Sequence, residues 1–113
     1  MNIKIIKIKL FFLCFIFIYS TTINADSAGE SLYMKNCMIC HAGDGSGAMP
    51  GVSGLTENKT WLTIDEEHLL AKLKNGIQKK GAAMSMPAKG GNPDLTDDDL
   101  KGIIRYMRQT FIK

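Results

Sequence analysis

Two thiols and an imidazole stand together in Cys37-Met38-Ile39-Cys40-His41. Residues three apart share one face of a helical turn, so both sulfurs can point the same way. They can then reach the two vinyl groups on one edge of a porphyrin. The next residue, His41, can turn its imidazole under the ring and ligate iron. C-x-x-C-H is therefore read as an attachment site for one c-type haem, bound covalently through Cys37 and Cys40. Other chemistries fit these residues less well. A disulfide oxidoreductase pair wants a βαβ setting, and no such pattern surrounds this motif. A zinc site would have to draw on Cys37, Cys40, His41 and His68, and adjacent ligands at 40 and 41 strain a tetrahedron. A structural disulfide between Cys37 and Cys40 would close a very small, strained loop.

An iron held by His41 has a second axial position, for which the sequence offers Met86, Met84, Met49, His68 or nothing. Pro87 follows Met86, which biases Met86 to extended backbone and stiffens its loop. Met86 also lies 45 residues beyond His41, far enough for the chain to reach the opposite side of the iron. Met84 is the rival, two residues away. Met49 is only eight residues past His41 and is placed on the proximal side. His68 sits between Glu67 and Leu69 and reads as a surface or half-buried helix residue. Methionine is also a common core filler, a role that suits Met107 and Met34 better than a methionine in a Gly-rich loop.

Three helices must position these groups, and no stretch beyond the first 25 residues alternates apolar and polar residues long enough to make a sheet of consequence. The fold class is therefore all-α. The first helix is expected from about Ala28 to Cys37, with Ser27 and Glu30 as a capping box. The second is expected from Ile64 to Asn75, with Thr63 and Glu66 as its box, Leu69, Leu70 and Leu73 as its apolar stripe, and Gly76 as its stop. The third runs from Asp97 to Phe111. Thr96 caps it, three aspartates fill its first turn, and Leu100, Ile103, Ile104, Met107 and Phe111 line one face. Loops rich in Gly and Pro occupy 43–54 and 81–93.

The chain has 113 residues and a formal charge of +3. Its start reads as a secretory leader: Lys4, Lys7 and Lys9, an apolar run from Leu10 to Tyr19, and a polar segment ending at Ala25. The run is short of the roughly 20 apolar residues that span a bilayer. Cleavage is expected after Ala25, with an uncleaved anchor as the alternative, and Cys14 is read as apolar filler discarded with the leader. The mature domain would then be residues 26–113, a single unit with as many acids as bases, 11 of each. Such balance excludes a basic footprint for nucleic acid or an acidic membrane as the default reading. A chain of this size with so few aromatics needs a staple, and a covalently held haem at its centre would supply one.

These residues resemble the class I c-type cytochromes, most closely the short bacterial cytochrome c5 type, over nearly all of residues 27–113. Gly29, Tyr33 and Cys37, each four apart, are similar to the family's N-terminal helix, and Ile103 with Tyr106 to its C-terminal helix. The resemblance implies a small cytochrome c fold of three to five helices wrapped around one haem, with the terminal helices crossing at Gly29. It implies that the carbonyl of Pro50 accepts a hydrogen bond from the His41 imidazole, orienting the ring. It also implies that Met86-Pro87-Ala88-Lys89-Gly90-Gly91 is the distal ligand loop, and that Trp61 packs beside a haem propionate. Pro50 can equally be a turn residue and Trp61 a core aromatic. Cytochromes of the c5 type often carry a second cysteine pair before the last helix; here that stretch is Gly91-Asn92-Pro93-Asp94-Leu95.

Iron held by His and Met on both sides has no open position for oxygen, and thioether ligation favours the ferrous state. The expected function is a soluble periplasmic one-electron carrier, monomeric, shuttling between respiratory complexes and not an enzyme. The alternatives are a haem-bearing electron-entry subunit of a larger redox complex, or an open-site haem enzyme or gas-binding protein. Expected partners are a reductase and a terminal oxidase or other acceptor, docking briefly, with peripheral contact to membrane complexes. Lys72, Lys74, Lys79, Lys80 and Lys89 would steer an acidic partner if they ring the haem edge; otherwise they are a solvated face.

Overall fold

The computed structural model describes residues 25–57 and 59–112. The expected leader, with Cys14, lies outside the described residues. Among the described residues five α-helices follow in order: α1 (Ala25–Asn36), α2 (Met38–His41), α3 (Thr60–Thr63), α4 (Glu66–Asn75) and α5 (Asp97–Phe111), with a 3-10 turn at Ala88–Gly91 before α5. Strand pairing among the described residues is limited to one antiparallel bridge, Ile77 with Met86. The all-α expectation holds.

The third predicted helix is α5, with the predicted bounds. The Thr96 hydroxyl accepts from the Asp99 N–H, while the Asp99 carboxylate accepts from the Thr96 N–H and hydroxyl. This reciprocal box satisfies amides that the first helical turn leaves free. All five residues of the predicted stripe are buried. Burying each such side chain contributes about 1.5–3 kcal/mol, so this one face dominates the core.

The other two helices begin elsewhere than expected. α1 starts at Ala25, so Ser27 lies inside its first turn and not at its cap. It also stops at Asn36, one residue before Cys37. Thr63 is the last residue of α3 and donates to the Thr60 carbonyl, so it cannot cap the next helix. Asp65 takes that role, its carboxylate accepting from the His68 N–H at 3.0 Å. Asx and hydroxyl residues in a row offer several competing caps, and packing chooses among them. Gly76 ends α4 with φ of 78° but extended ψ, sending the chain away toward the Ile77–Met86 bridge.

α1 packs across α5 where two glycines meet. A Cβ added to Gly29 would run into the backbone carbonyl of Gly102. The crossing therefore brings backbone against backbone, which glycine alone permits on the α1 side. Beside it Tyr33 is fully buried, with ring centroids 5.3 Å from Tyr106 and 5.5 Å from Phe111. Leu69, Leu70 and Leu73 of α4 complete the core, as the stripe predicted.

Candidate functional site

The C-x-x-C-H segment forms a tight corner at the end of α1. The Cys37 N–H donates to the Tyr33 carbonyl at 2.8 Å, closing α1, and the His41 N–H donates to the Cys37 carbonyl at 3.0 Å, opening α2. Ala42 then leaves α2 with φ of 62°, an uncommon angle for a residue with a side chain. The buried Tyr33 hydroxyl donates to the Ala42 carbonyl at 2.7 Å and holds that turn. Cys37 and Cys40 are both half-buried and are not joined to each other by a disulfide. Before attachment, burial and then the neighbouring Cys40 push the Cys37 thiol up to about 11.

His41 is half-buried, and burial lowers its pKa, favouring the neutral ring that can ligate a metal. Its Nδ1 is buried with no hydrogen-bond partner. The expected bond from the imidazole to the Pro50 carbonyl is therefore not made here, and Pro50 is exposed and lines no part of the cleft. Gly51, next to Pro50, turns this loop at a φ of 85° and lines the outer lobe of the cleft described below.

Beside this corner lies a cleft with two lobes of about 240 Å³ each. Cys37, His41, Ser53, Ile77, Met86 and Gly90 line both. Trp61, Leu69, Leu73, Leu100, Ile103 and Met107 wall the inner lobe, which is almost wholly apolar. Cys40, Val52, Lys79 and Met84 belong to the outer lobe. An apolar slot edged by two thiols and an imidazole with an unpaired buried nitrogen fits a flat, apolar, metal-bearing macrocycle. Among the described residues no three His, Cys, Asp or Glu side chains gather as a site for a bare metal ion.

The candidate methionines separate by position. Met86 is half-buried, packs on the core and lines both lobes with His41. Its backbone is held from both sides, since Met86 N–H donates to Ile77 O and Ile77 N–H to Met86 O, each at 2.9 Å. Met84 is 41% exposed and lines the outer lobe alone, and Met49, 37% exposed, lines neither. His68 is well exposed and bonded to Asp65 on the outside of α4, away from the cleft.

The lysines do not act as one group. Lys74 pairs with Asp97 at 2.8 Å, and Lys89 turns inward, its ammonium donating to the carbonyls of Pro93 and Leu95. Lys72 and Lys79 line the cleft. Several supporting residues had no local mark in the sequence. Arg108 donates through Nε to Leu62 O at 3.0 Å and through Nη2 to Ile64 O, tying α5 to the segment that carries Trp61. Asn92 donates to Asn36, 56 residues away in the chain. Neither pairing has a periodicity or spacing that could have disclosed it.

An all-helical chain closed over an apolar cleft, with C-x-x-C-H at the edge of that cleft, defines a c-type cytochrome domain. The chain belongs to the cytochrome c family whose model, described as cytochrome C oxidase, cbb3-type, subunit III, matches residues 24–107. It is similar to a cytochrome c-555 of Prosthecochloris aestuarii, 33% identical over 84 residues, covering 70% of this chain and 81% of that one. It is also similar to a cytochrome c6 of Gracilaria tenuistipitata var. liui, 35% identical over 104 residues and 86% of each chain. A third relative is the cytochrome c subunit of a quinone alcohol dehydrogenase from Gluconobacter oxydans, 28% identical over 74% of this chain but 18% of that one. The class I resemblance is thus shown. The chain is a haem c electron carrier with its haem attached covalently through Cys37 and Cys40.

Proposed function

We propose that residues 26–113 form a soluble, monomeric, periplasmic one-electron carrier in which His41 and Met86 are the two axial ligands of the iron. The observation that carries this reading is the placement of Met86: half-buried, pinned through its own N–H and C=O to Ile77, and lining both lobes of the cleft with His41. When bound, haem c supplies a ferric/ferrous couple, and His/Met ligation leaves it no position for oxygen. The protein's part is to fix both ligands so that little rearranges when the charge changes. Tyr33 holds the His41 side of the cleft through Ala42, Ile77 holds Met86, and Pro87 stiffens the backbone that follows. The apolar wall from Trp61 to Met107 keeps water from the inner lobe.

Among the described residues no helix is long and apolar enough to cross a membrane. The leader pattern at the N-terminus supports export and cleavage after Ala25. The donor and acceptor would be redox proteins that dock briefly over the cleft mouth, where Lys79 offers a cation. A second reading, an electron-entry subunit of a larger complex, is favoured by the exposed apolar Met38 and Ile39 on α2, 43% and 74% exposed, and by the likeness to a dehydrogenase subunit. Sedimentation of the exported protein separates the two, a monomer supporting the carrier.

The ligand reading is tested by the visible spectrum of the oxidised holoprotein. A weak far-red band from sulfur on ferric iron is expected in the wild type and in Met84→Ala, and lost in Met86→Ala. Loss in Met84→Ala instead would move the ligand to Met84. A high-spin wild-type spectrum, with carbon monoxide binding on reduction, would overturn the carrier reading in favour of an open site.

A further inference from the structure

The loop that carries Met86 is anchored at both ends, and to different parts of the fold. At its start, Met86 is bridged to Ile77, just beyond α4. At its end, the Asn92 side chain reaches α1, its Nδ2 donating to Asn36 Oδ1 at 2.8 Å. Asn36 is the last residue of α1 and the neighbour of Cys37. Both amides are fixed in direction by their other bonds. Asn36 Nδ2 donates to Leu32 O at 2.8 Å, and Asn92 Oδ1 accepts from the Asp94 N–H at 3.1 Å. The run Asp94 N–H to Asn92 to Asn36 to Leu32 O therefore has donors and acceptors in a single sense, with both asparagines half-buried. Gly90 closes the same contact, since a Cβ there would lie 3.2 Å from the Asn36 carbonyl. Inside the loop, the ammonium of Lys89 gathers the carbonyls of Pro93 and Leu95, so residues 89–95 are braced to move as a unit.

We propose that Asn92 is a positioning residue for the distal ligand: its amide bond to Asn36 straps the Met86 loop to the C-x-x-C-H corner and sets the spacing across the cleft. The strap runs along the edge of the outer lobe, which Asn36 lines and Asn92 does not, and joins the two backbone segments that bear His41 and Met86. The inference rests on Met86 being the ligand. Breaking the strap leaves Met86 held only through the Ile77 bridge, so the ligand segment should lift from the cleft more often, without unfolding.

The test uses ferric holoprotein and imidazole as an added ligand that must displace the native one. Asn92→Asp keeps the oxygen that accepts from Asp94 but removes the donor to Asn36; Asn92→Ala removes both, and Asn36→Ala removes the receiving end. All three are expected to speed imidazole entry by about five- to tenfold, the factor set by losing one half-buried hydrogen bond. The Asn36→Ala, Asn92→Ala double variant should be no faster than either single one, since both remove the same bond. Ile104→Val, a core change away from the cleft, fixes the effect of lowered global stability, read by urea unfolding of every variant. Entry rates in the asparagine variants that match the wild type, or that follow global stability as Ile104→Val does, would overturn the strap. So would wild-type behaviour of Asn92→Asp alone, which would assign the effect to the Asp94 turn. A wild type without the far-red sulfur band would overturn the Met86 reading, and the strap with it.

Discussion

The Tyr33 hydroxyl donates to the Ala42 carbonyl at 2.7 Å, from a side chain with no exposed surface to the residue that follows His41. One bond thus couples the centre of the aromatic cluster to the turn that ends the C-x-x-C-H corner. Burial, above all, raises the phenol's pKa, so it remains a donor at any ordinary pH. Tyr33→Phe keeps the ring contacts with Tyr106 and Phe111 but leaves the Ala42 carbonyl, at a backbone angle of 62°, with only the longer bond from the Gly45 N–H at 3.3 Å. A loss of about 0.5–1.5 kcal/mol is expected, the net worth of one hydrogen bond. Urea unfolding of the holoprotein checks it, and an unchanged midpoint would show that the bond does not hold the corner.

The helix crossing predicts an asymmetry between its two glycines. Gly29→Ala would drive a methyl into the Gly102 carbonyl and force α1 off α5, costing about 3 kcal/mol or more by the scale of overpacked cores. Gly102→Ala meets nothing closer than 3.8 Å, and it replaces a poor helix former inside α5. It should be neutral or stabilising by up to about 1 kcal/mol. Thermal unfolding of the two variants side by side decides the matter; equal effects would mean the backbones do not approach as described.

Acid should loosen α5 through its cap. The Asp99 carboxyl lies below its ordinary value near 3.8 because the Thr96 N–H, then the Thr96 hydroxyl, donate to its ionised form. The unfolded chain takes up that proton at a higher pH than the folded one. The stabilisation is therefore complete above about pH 4–5 and lost as pH falls through the lower folded value. Asn at this position still accepts a bond but does not titrate. Asp99→Asn should flatten the fall in urea midpoint below pH 4, and parallel wild-type and variant curves would exclude the cap as the source.

Arg108 predicts a change that reports from the cleft wall. Its guanidinium bonds two carbonyls at once, Leu62 and Ile64, which flank the end of α3. Lysine cannot make that fork. Arg108→Lys should cost about 1.5–3 kcal/mol for the loss of half-buried charged hydrogen bonds. Trp61, the single tryptophan, lines the cleft on the segment so released. Its fluorescence, quenched by a nearby haem in the native protein, should rise in the variant. Unchanged emission would show that α3 stays in place without the arginine.

The chemistry of this protein was legible in the sequence because it is local. Cys37, Cys40 and His41 lie within one turn, so their spacing alone sets which faces they share. α5 was equally legible: one cap, one acidic turn and one apolar stripe agree, and no neighbour competes with them. The start of α4 was not, because Thr63 and Asp65 are both sound caps and only the packing of Leu62 under α5 drew Thr63 into the preceding helix. Pro50 was legible only as a loop residue within reach of His41. A proline at that distance from His41 fixes reach, not direction, and the imidazole Nδ1 has no hydrogen-bond partner. Met86 and Met84 are equivalent by spacing; the Ile77 bridge, made between residues nine apart across a loop, is what buries one and leaves the other exposed. The strap from Asn92 to Asn36 could not be read at all. An asparagine beside a proline signals a turn, and its amide finds its partner only once α1 and the Met86 loop have been brought together by the core.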